Sequence, residues 1–138
     1  MKHEDKYLLL KDLCARLPYN PLVEYKGESY NVLGIAHGRL VLCKPFMSYT
    51  LKENPLVEEA KPYLFPLSSM TEEQLKDVKA SLHQELIDIY ENGSEERKVP
   101  EYPQTWYYVQ DWYNAHHFDY RGLIERGLAI DATGLNIY

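Results

Sequence analysis

The sequence predicts a mixed α+β fold: an N-terminal helix, a small antiparallel sheet or SH3-like barrel at about 21–60, then a long helix and two shorter C-terminal helices. Three patterns indicate this class. They are apolar residues at helical spacing near the N-terminus, β-branched and aromatic runs separated by glycine turns, and a capped apolar stripe in the second half. The length of 138 residues fits a single domain, 1–138, that is strand-rich over 18–66 and helical over 71–131.

Residues 4–17 have the spacing of an amphipathic helix. Apolar side chains recur at i, i+3, i+4 and i+7, which places them on one face of the helix. Pro18 ends the helix, because the residue before a proline is biased away from the α conformation. We expect the buried face to consist of Leu10, Leu13, Cys14 and Leu17.

Three strands are expected between residues 21 and 60. A turn around Gly27 separates the first two, and His37-Gly38 has the form of a two-residue hairpin turn. A short, twisted set of strands closes naturally as a small sheet or barrel. The expected strands are 22–26, 29–36 and 39–44, with edge strands at 47–51 and 55–60.

The long helix is expected over 72–91. Thr71 and Gln74 form a capping box at its start, and an apolar stripe follows at helical spacing. Gly93 stands where a C-terminal cap is expected. The charged, proline-punctuated stretch 92–104 is predicted to be a mobile loop.

Two shorter helices are expected after that loop. The first covers 105–116 and is capped by Thr105; the second covers 120–126 and is capped by Asp119. A short strand or extended piece, 128–131, is expected to follow.

Charge and motifs exclude several classes of function. The net charge is −6, with the acidic excess concentrated in 71–104, and the cation clusters of a general nucleic-acid binder are missing. No apolar stretch is long enough for a signal peptide or a membrane span, so a cytoplasmic location is expected, in the host cell if a phage encodes the chain. No phosphate-binding glycine motif or nucleophile elbow occurs. We expect no cofactor.

His116, His117 and Asp119 form the one cluster in the sequence that resembles metal ligands. Adjacent histidines point in different directions on a helix, and the two cysteines form no Cys-x-x-Cys pair, so no metal is expected. Either histidine could act as a general acid or base, since histidine titrates near neutrality. No nucleophile partner stands beside them in the sequence.

Two segments carry a resemblance: KPYLFPLSSMTEEQ at 61–74 and NAHHFDYRGLIERGLAID at 114–131. Together with LCARLPY at 13–19, they are similar to a group of uncharacterised proteins encoded by gut Bacteroidales, their prophages and their phages. The resemblance covers most of the chain and implies a phage or mobile-element context. Small proteins in that setting often act by binding rather than by turnover, which is an argument from analogy.

The surplus of aromatic residues after 102 indicates a recognition surface, although packing against the sheet or a second subunit also accounts for it. We expect a non-catalytic binding protein of a phage or mobile element, acting in counter-defence. Its ligand is expected to be either a small anion, such as a signalling nucleotide, or a host protein. The alternatives are an interaction or structural module without a small ligand, and an enzyme that uses His116 or His117. Self-association into a homo-oligomer is also expected. The expected ligand-binding residues are Tyr107, Tyr108, His116, His117, Tyr120, Arg121 and Arg126.

Overall fold

The computed structural model describes residues 1–47, 49–80 and 103–138, with side chains described from 108 onward in the last range. Three α-helices and six β-strands lie within these residues, together with three short 3-10 helices. The helices are α1 (His3–Arg16), α2 (72–80) and α3 (Pro103–Ala115). The strands are β1 (Leu22–Tyr25), β2 (Glu28–Ala36), β3 (Arg39–Cys43), β4 (Lys61–Pro66), β5 (Phe118–Asp119) and β6 (Ile130–Asp131). The 3-10 helices are Leu17–Tyr19, Val57–Glu59 and Leu67–Ser69.

The antiparallel meander β1–β2–β3 confirms the expected strands and both hairpin turns. Lys26 and Gly27 have φ of 50° and 78°, and His37 and Gly38 have φ of 54° and 72°. Two successive residues with positive φ define the type I′ turn, whose twist matches that of the flanking strands. The turns therefore fix the register, with Tyr25 opposite Glu28 and Ala36 opposite Arg39.

The strands within 21–60 are antiparallel, as expected, but the sheet extends beyond them and is mixed, and the alternative of an SH3-like barrel was wrong. Its order is β3-β2-β1-β4-β5, an open path, and β6 also pairs with β4. Both β5 and β6 run parallel to β4. Parallel pairing needs a long crossover, which the chain between β4 and β5 provides. The end of the expected extended piece, 128–131, forms β6, whereas β5 has only two residues and is too short to show alternation in the sequence.

A β-bulge interrupts the pairing of β2 with β3. Val32 pairs with Leu42 and Gly34 pairs with Val41, so Leu33 has no opposite residue. Such a bulge re-aims a side chain out of the regular alternation. Leu33, next to the buried Val32, is 55% exposed as regular alternation requires, and the bulge shifts the alternation after it, so that Ile35 packs against the core.

The main core lies between α1 and the sheet. Leu9 and Leu13 of α1 pack with side chains of the meander and with Leu123 and Leu128 from the C-terminal part. The buried face of α1 is rotated by part of a turn from the expected one, and Cys14, which was expected to be buried, is exposed. The buried face consists of Leu9, Asp12, Leu13 and Arg16.

The helices differ from the expectation in length and number. Thr71 and Gln74 form the expected capping box: the Gln74 amide donates to Thr71 Oγ1 at 3.1 Å, and the Thr71 amide donates to Gln74 Oε1 at 2.9 Å. The long helix over 72–91 is seen only as α2, since 81–91 lies outside the described residues. The expected mobile loop lies outside them too, except that 103–104 belong to α3.

The prediction of a second C-terminal helix over 120–126 was wrong. The segment forms turns, although Asp119 does act as a cap, accepting from the amides of Leu123 and Ile124 at 2.9 Å each. Gly122 and Gly127 both have φ of 74°. A left-handed residue ends helical hydrogen bonding, so helix cannot propagate past either glycine.

Candidate functional site

An open cleft of about 580 Å³ lies between the β2–β3 end of the sheet and the C-terminal residues. Its mouth is apolar and is formed by Leu33, Phe46 and Met47, all of which are largely exposed. Its floor is more polar and includes His117 and Tyr138. This size is sufficient for a small ligand or for one or two side chains of a partner.

The mouth is built on a turn at 44–47, which we call the apolar turn. The Met47 amide donates to the Lys44 carbonyl at 3.0 Å, with Pro45 and Phe46 in the two central positions. Phe46 has φ of 65°, as the third residue of a type II turn requires. That position normally holds glycine, because a left-handed conformation costs other residues roughly 1–2 kcal/mol. Phe46 is also fully exposed, so its ring gains nothing from burial.

Cys43 fastens the apolar turn to the sheet. Its buried sulfur lies 3.1 Å from the Met47 carbonyl oxygen and 3.3 Å from the Lys44 carbonyl oxygen. Lys44 is a cation in the wall of the cleft, and it lies 3.3 Å from the carboxylate of Glu28. The Tyr30 hydroxyl donates to the same carboxylate at 2.7 Å and, with Lys44, lowers the pKa of Glu28. The lysine charge is therefore already paired.

His117 and Tyr138 form a stacked pair on the cleft floor, with ring centroids 3.5 Å apart. The Tyr138 hydroxyl accepts from the Leu22 amide and donates to the Tyr63 carbonyl, both at 3.0 Å. Burial raises the pKa of Tyr138 to about 12. This hydroxyl joins β1 to β4, so Tyr138 holds two strands together.

Burial lowers the pKa of His117 to about 4, with smaller contributions from the nearby charges of Arg16 and His116. Its Nδ1 atom is buried and has no hydrogen-bond partner among the described residues. Because no carboxylate in the described part of the chain orients this ring, and a base of such low pKa takes up protons poorly at neutral pH, His117 is badly placed for general-base chemistry.

The structure separates the residues expected to form one ligand site. His117 lies in the cleft, whereas Tyr120 and Arg121 line a different pocket. His116 is exposed, stacks on Trp112 at 3.9 Å, and has Nδ1 2.9 Å from the Trp112 carbonyl oxygen.

Two other expected site residues, Tyr108 and Arg126, line neither of these cavities. Tyr108 is exposed on α3, and Tyr107 belongs to the same helix, with its side chain outside the described residues. Arg126 binds Asp5 at 3.1 Å.

Two residues of α1, Asp12 and Arg16, form a charge cluster with Arg121. Arg16 Nε and Nη2 donate to the two oxygens of Asp12 at 2.8 and 3.1 Å, and both side chains are fully buried. Arg16 Nη2 also donates to the Phe118 carbonyl at 2.6 Å. Arg121 donates to Asp12 at 2.9 Å, rather than to the carboxylates nearest to it in sequence. The cluster ties α1 to β5 and to the segment after it.

The second pocket, of about 260 Å³, opens beside this cluster. The Tyr120 ring in its wall is flanked by Arg121 at 4.6 Å and Arg16 at 5.4 Å, and it stacks against Tyr113. The Tyr120 hydroxyl donates to Asn114 Oδ1 at 3.0 Å. The second pocket is lined by Lys11, Ala15, Gln110, Asp111, Asn114, Tyr120 and Arg121.

Sequence reasoning missed two of these features. The i, i+4 spacing of Asp12 and Arg16 was the available signal for an ion pair, but a search for apolar periodicity passes over it. Phe46 follows Pro45, and a proline in the second position of a turn was the available signal there. Residues 47–51 were expected as an edge strand, but Thr50 contributes only an isolated bridge to Cys43.

Comparisons of the chain with protein-family models, with curated proteins and with solved structures found no match. Within residues 1–47, 49–80 and 103–138, no three His, Cys, Asp or Glu side chains come together as a metal site would require. None of the helices in those residues has the length and apolar character needed to cross a bilayer.

Proposed function

We propose that this chain is a non-catalytic binding protein and that its cleft receives a segment of another protein. The observation that carries the proposal is the apolar turn. Phe46 adopts a left-handed conformation that glycine would adopt without cost, and its ring is fully exposed. Strain of this kind is associated with functional sites, because folding alone gives no reason to keep it.

The residue types at the cleft mouth support a protein partner. Aromatic residues and methionine are enriched in interfaces, where a few buried anchors supply most of the binding energy. Phe46 and Met47 protrude from a turn, and the exposed side chain of Leu33 in β2 lines the same cleft. Exposed apolar side chains that line one cavity are more informative than the same number scattered over a surface.

The charges favour a partner with an apolar anchor and basic flanks. Lys44 is paired with Glu28, so the cleft wall offers little to an anion. The chain carries a net charge of −6, which attracts a cationic segment and repels a second copy of itself. A homo-oligomer, in which the second copy fills the cleft, is the competing outcome of the test below.

The context rests on the resemblance to proteins of gut Bacteroidales and their phages. It supports a role for the chain in the host cytoplasm on behalf of a phage or mobile element, with counter-defence as one such role. The partner is then a host protein.

The test is site-specific cross-linking. A photoreactive phenylalanine analogue placed at Phe46, or at Leu33, should form a covalent adduct of one defined mass in a Bacteroidales lysate. The matched control places the analogue at Tyr7, an exposed aromatic residue on α1 that lies outside the cleft. The captured protein is identified, purified, and titrated against the parent chain.

The proposal requires that the adduct form from positions 46 and 33, that it be absent from position 7, and that the purified partner bind the parent chain directly. An adduct of twice the chain's own mass assigns the cleft to self-association instead. Equal labelling from positions 46 and 7 would mean that the cleft mouth is ordinary surface, and the proposal would be wrong.

A further inference from the structure

We infer that the second pocket binds a small organic carboxylate through Arg121 and Lys11. This site is separate from the cleft and does not rest on the proposed function. In the charge cluster, two guanidinium groups share the single carboxylate of Asp12. Asp12 can neutralise one of the two arginines, so the cluster carries one uncompensated positive charge.

The burial of this cluster makes the excess charge consequential. Arg16 and Asp12 are fully buried, and the side chain of Arg121 is 14% exposed. Arg16 Nη1 is also buried without a hydrogen-bond partner among the described residues. An unbalanced charge in a poorly solvated site interacts strongly with any counter-ion that can reach it.

The other buried carboxylate of the described residues makes no ion pair with the cluster. Asp119 uses its two oxygens to accept from the amides of Leu123 and Ile124. Within the described residues, the ion pairs of Arg16 and Arg121 are both made with Asp12. Apart from the bond to Asp12, no carboxylate of the described residues accepts from Arg121, and a bound anion can accept from its remaining N–H groups.

Arg121 is the member of the cluster that an anion can reach. It lines the second pocket, where Lys11 of α1 supplies another cation and Asn114 of α3 a fixed amide. Among the described residues, Arg121 donates one side-chain hydrogen bond, from Nη1 to Asp12. The remaining N–H groups of the planar fork have the geometry that carboxylates and phosphates match.

Two features of the pocket favour a carboxylate over a nucleotide or a free phosphate. The faces of Tyr120 are already engaged by Arg121, Arg16 and Tyr113, so a base cannot stack there. Asp111 also lines the pocket, and its charge opposes a doubly charged phosphate more than a singly charged carboxylate. A volume of about 260 Å³ suits a small acid.

The experiment is an NMR titration of the ¹⁵N-labelled chain with acetate, with inorganic phosphate and with chloride, at constant ionic strength. Acetate should shift the Arg121 Nε–Hε signal and the amides of the pocket walls in a saturable way. Arg121→Gln should raise the acetate Kd at least about tenfold, the usual loss for a hydrogen bond to a charged group. Lys11→Gln should raise it about threefold, because that side chain is exposed.

Two variants serve as controls. Arg126→Gln removes an arginine of the same segment that binds Asp5 instead, and it should leave the acetate Kd unchanged. Asp111→Asn should tighten phosphate binding about threefold, and acetate binding by less, since one opposing charge is removed. Lys11 and Asp111 are exposed, so these variants fold even if Arg121→Gln does not.

The inference is overturned if chloride produces the same shifts as acetate, or if Arg121→Gln and Lys11→Gln both bind acetate as the parent does. Phosphate binding more than tenfold tighter than acetate binding would overturn the assignment to carboxylates. Phe46 variants should leave every one of these titrations unchanged, so failure of the proposed function leaves this test intact.

Discussion

The charge cluster of Asp12, Arg16 and Arg121 and the apolar turn at 44–47 both contain groups whose placement costs folding free energy. The two regions differ in whether neighbouring residues offset that cost. Asp12 and Arg16 are fully buried charges, but three hydrogen bonds hold them in place, two between their side chains and one from Arg16 to a carbonyl of β5. Phe46 combines a left-handed backbone with a fully exposed ring. Its side chain has no burial to offset that cost.

This difference shows where to look for function. A costly feature that its neighbours stabilise is part of the architecture, and its removal should unfold the protein. A costly feature that its neighbours do not stabilise is retained for something outside the fold. The two regions should therefore respond in opposite directions to mutation.

The largest effect is expected from Asp12→Asn. Loss of the carboxylate leaves Arg16 as a buried and unpaired charge, which should cost about 3–5 kcal/mol of unfolding free energy. Urea denaturation followed by circular dichroism measures the change. Asp5→Asn is the matched control, because its partner Arg126 is half-exposed, and it should cost less than about 1 kcal/mol. Similar losses in the two variants would show that the cluster is no more important than a surface pair.

A smaller effect is expected from acid, through His117. Its pKa in the folded chain is about 4, below the ordinary 6.5, so the unfolded chain binds the extra proton first as pH falls. The contribution of His117 is therefore complete above about pH 6.5 and is lost as pH falls towards 4. After a discount for partial exposure, we expect a loss of about 2 kcal/mol.

The measurement is urea denaturation at steps between pH 7 and pH 4, for the parent and for His117→Asn. Asparagine tolerates the positive φ of 64° at this position and does not titrate. The variant should be less stable at neutral pH, because the stack on Tyr138 is lost, but its stability should fall less steeply with acid. Parallel pH profiles would show that His117 does not titrate abnormally.

A smaller loss of stability is expected from alanine in a hairpin turn. It measures the cost of a left-handed residue, which is the cost that we assign to Phe46 in the apolar turn. Gly38 has φ of 72°, and alanine there should cost about 1 kcal/mol even though no atom lies in the way. Gly34→Ala, in β2, has the same open surroundings without a positive φ and should not destabilise the chain. Thermal unfolding of the two variants isolates the cost of a left-handed residue, and equal melting temperatures would remove the strain argument for Phe46.

Local patterns in the sequence were enough for the meander. Gly27 and Gly38 mark type I′ turns, and the Thr71–Gln74 box marks the start of α2, since each depends on contacts between near neighbours. The buried face of α1 was misjudged, because a mutually neutralised Asp12–Arg16 pair can be buried where apolar periodicity alone would not place it.

The candidate sites could be anticipated only in part. Tyr120 and Arg121 line one pocket, and His117 lines another. Arg121 is held by its hydrogen bond to Asp12, and these two residues are 109 positions apart in the chain. The partner of Arg121 is Asp12 of α1, which no local pattern around residue 121 indicates. Phe46 was passed over because its backbone conformation decides its importance, and no periodic pattern reports a single positive φ.

The most direct test of the central claim is the affinity of Phe46→Gly for the partner captured by cross-linking. Glycine relieves the left-handed strain at the cost of greater freedom in the unfolded chain, so stability should be unchanged or higher by up to about 1 kcal/mol. Loss of an anchoring ring should raise the Kd by about thirtyfold or more. A Phe46→Gly chain that is as stable as the parent and binds the partner equally well would contradict the account.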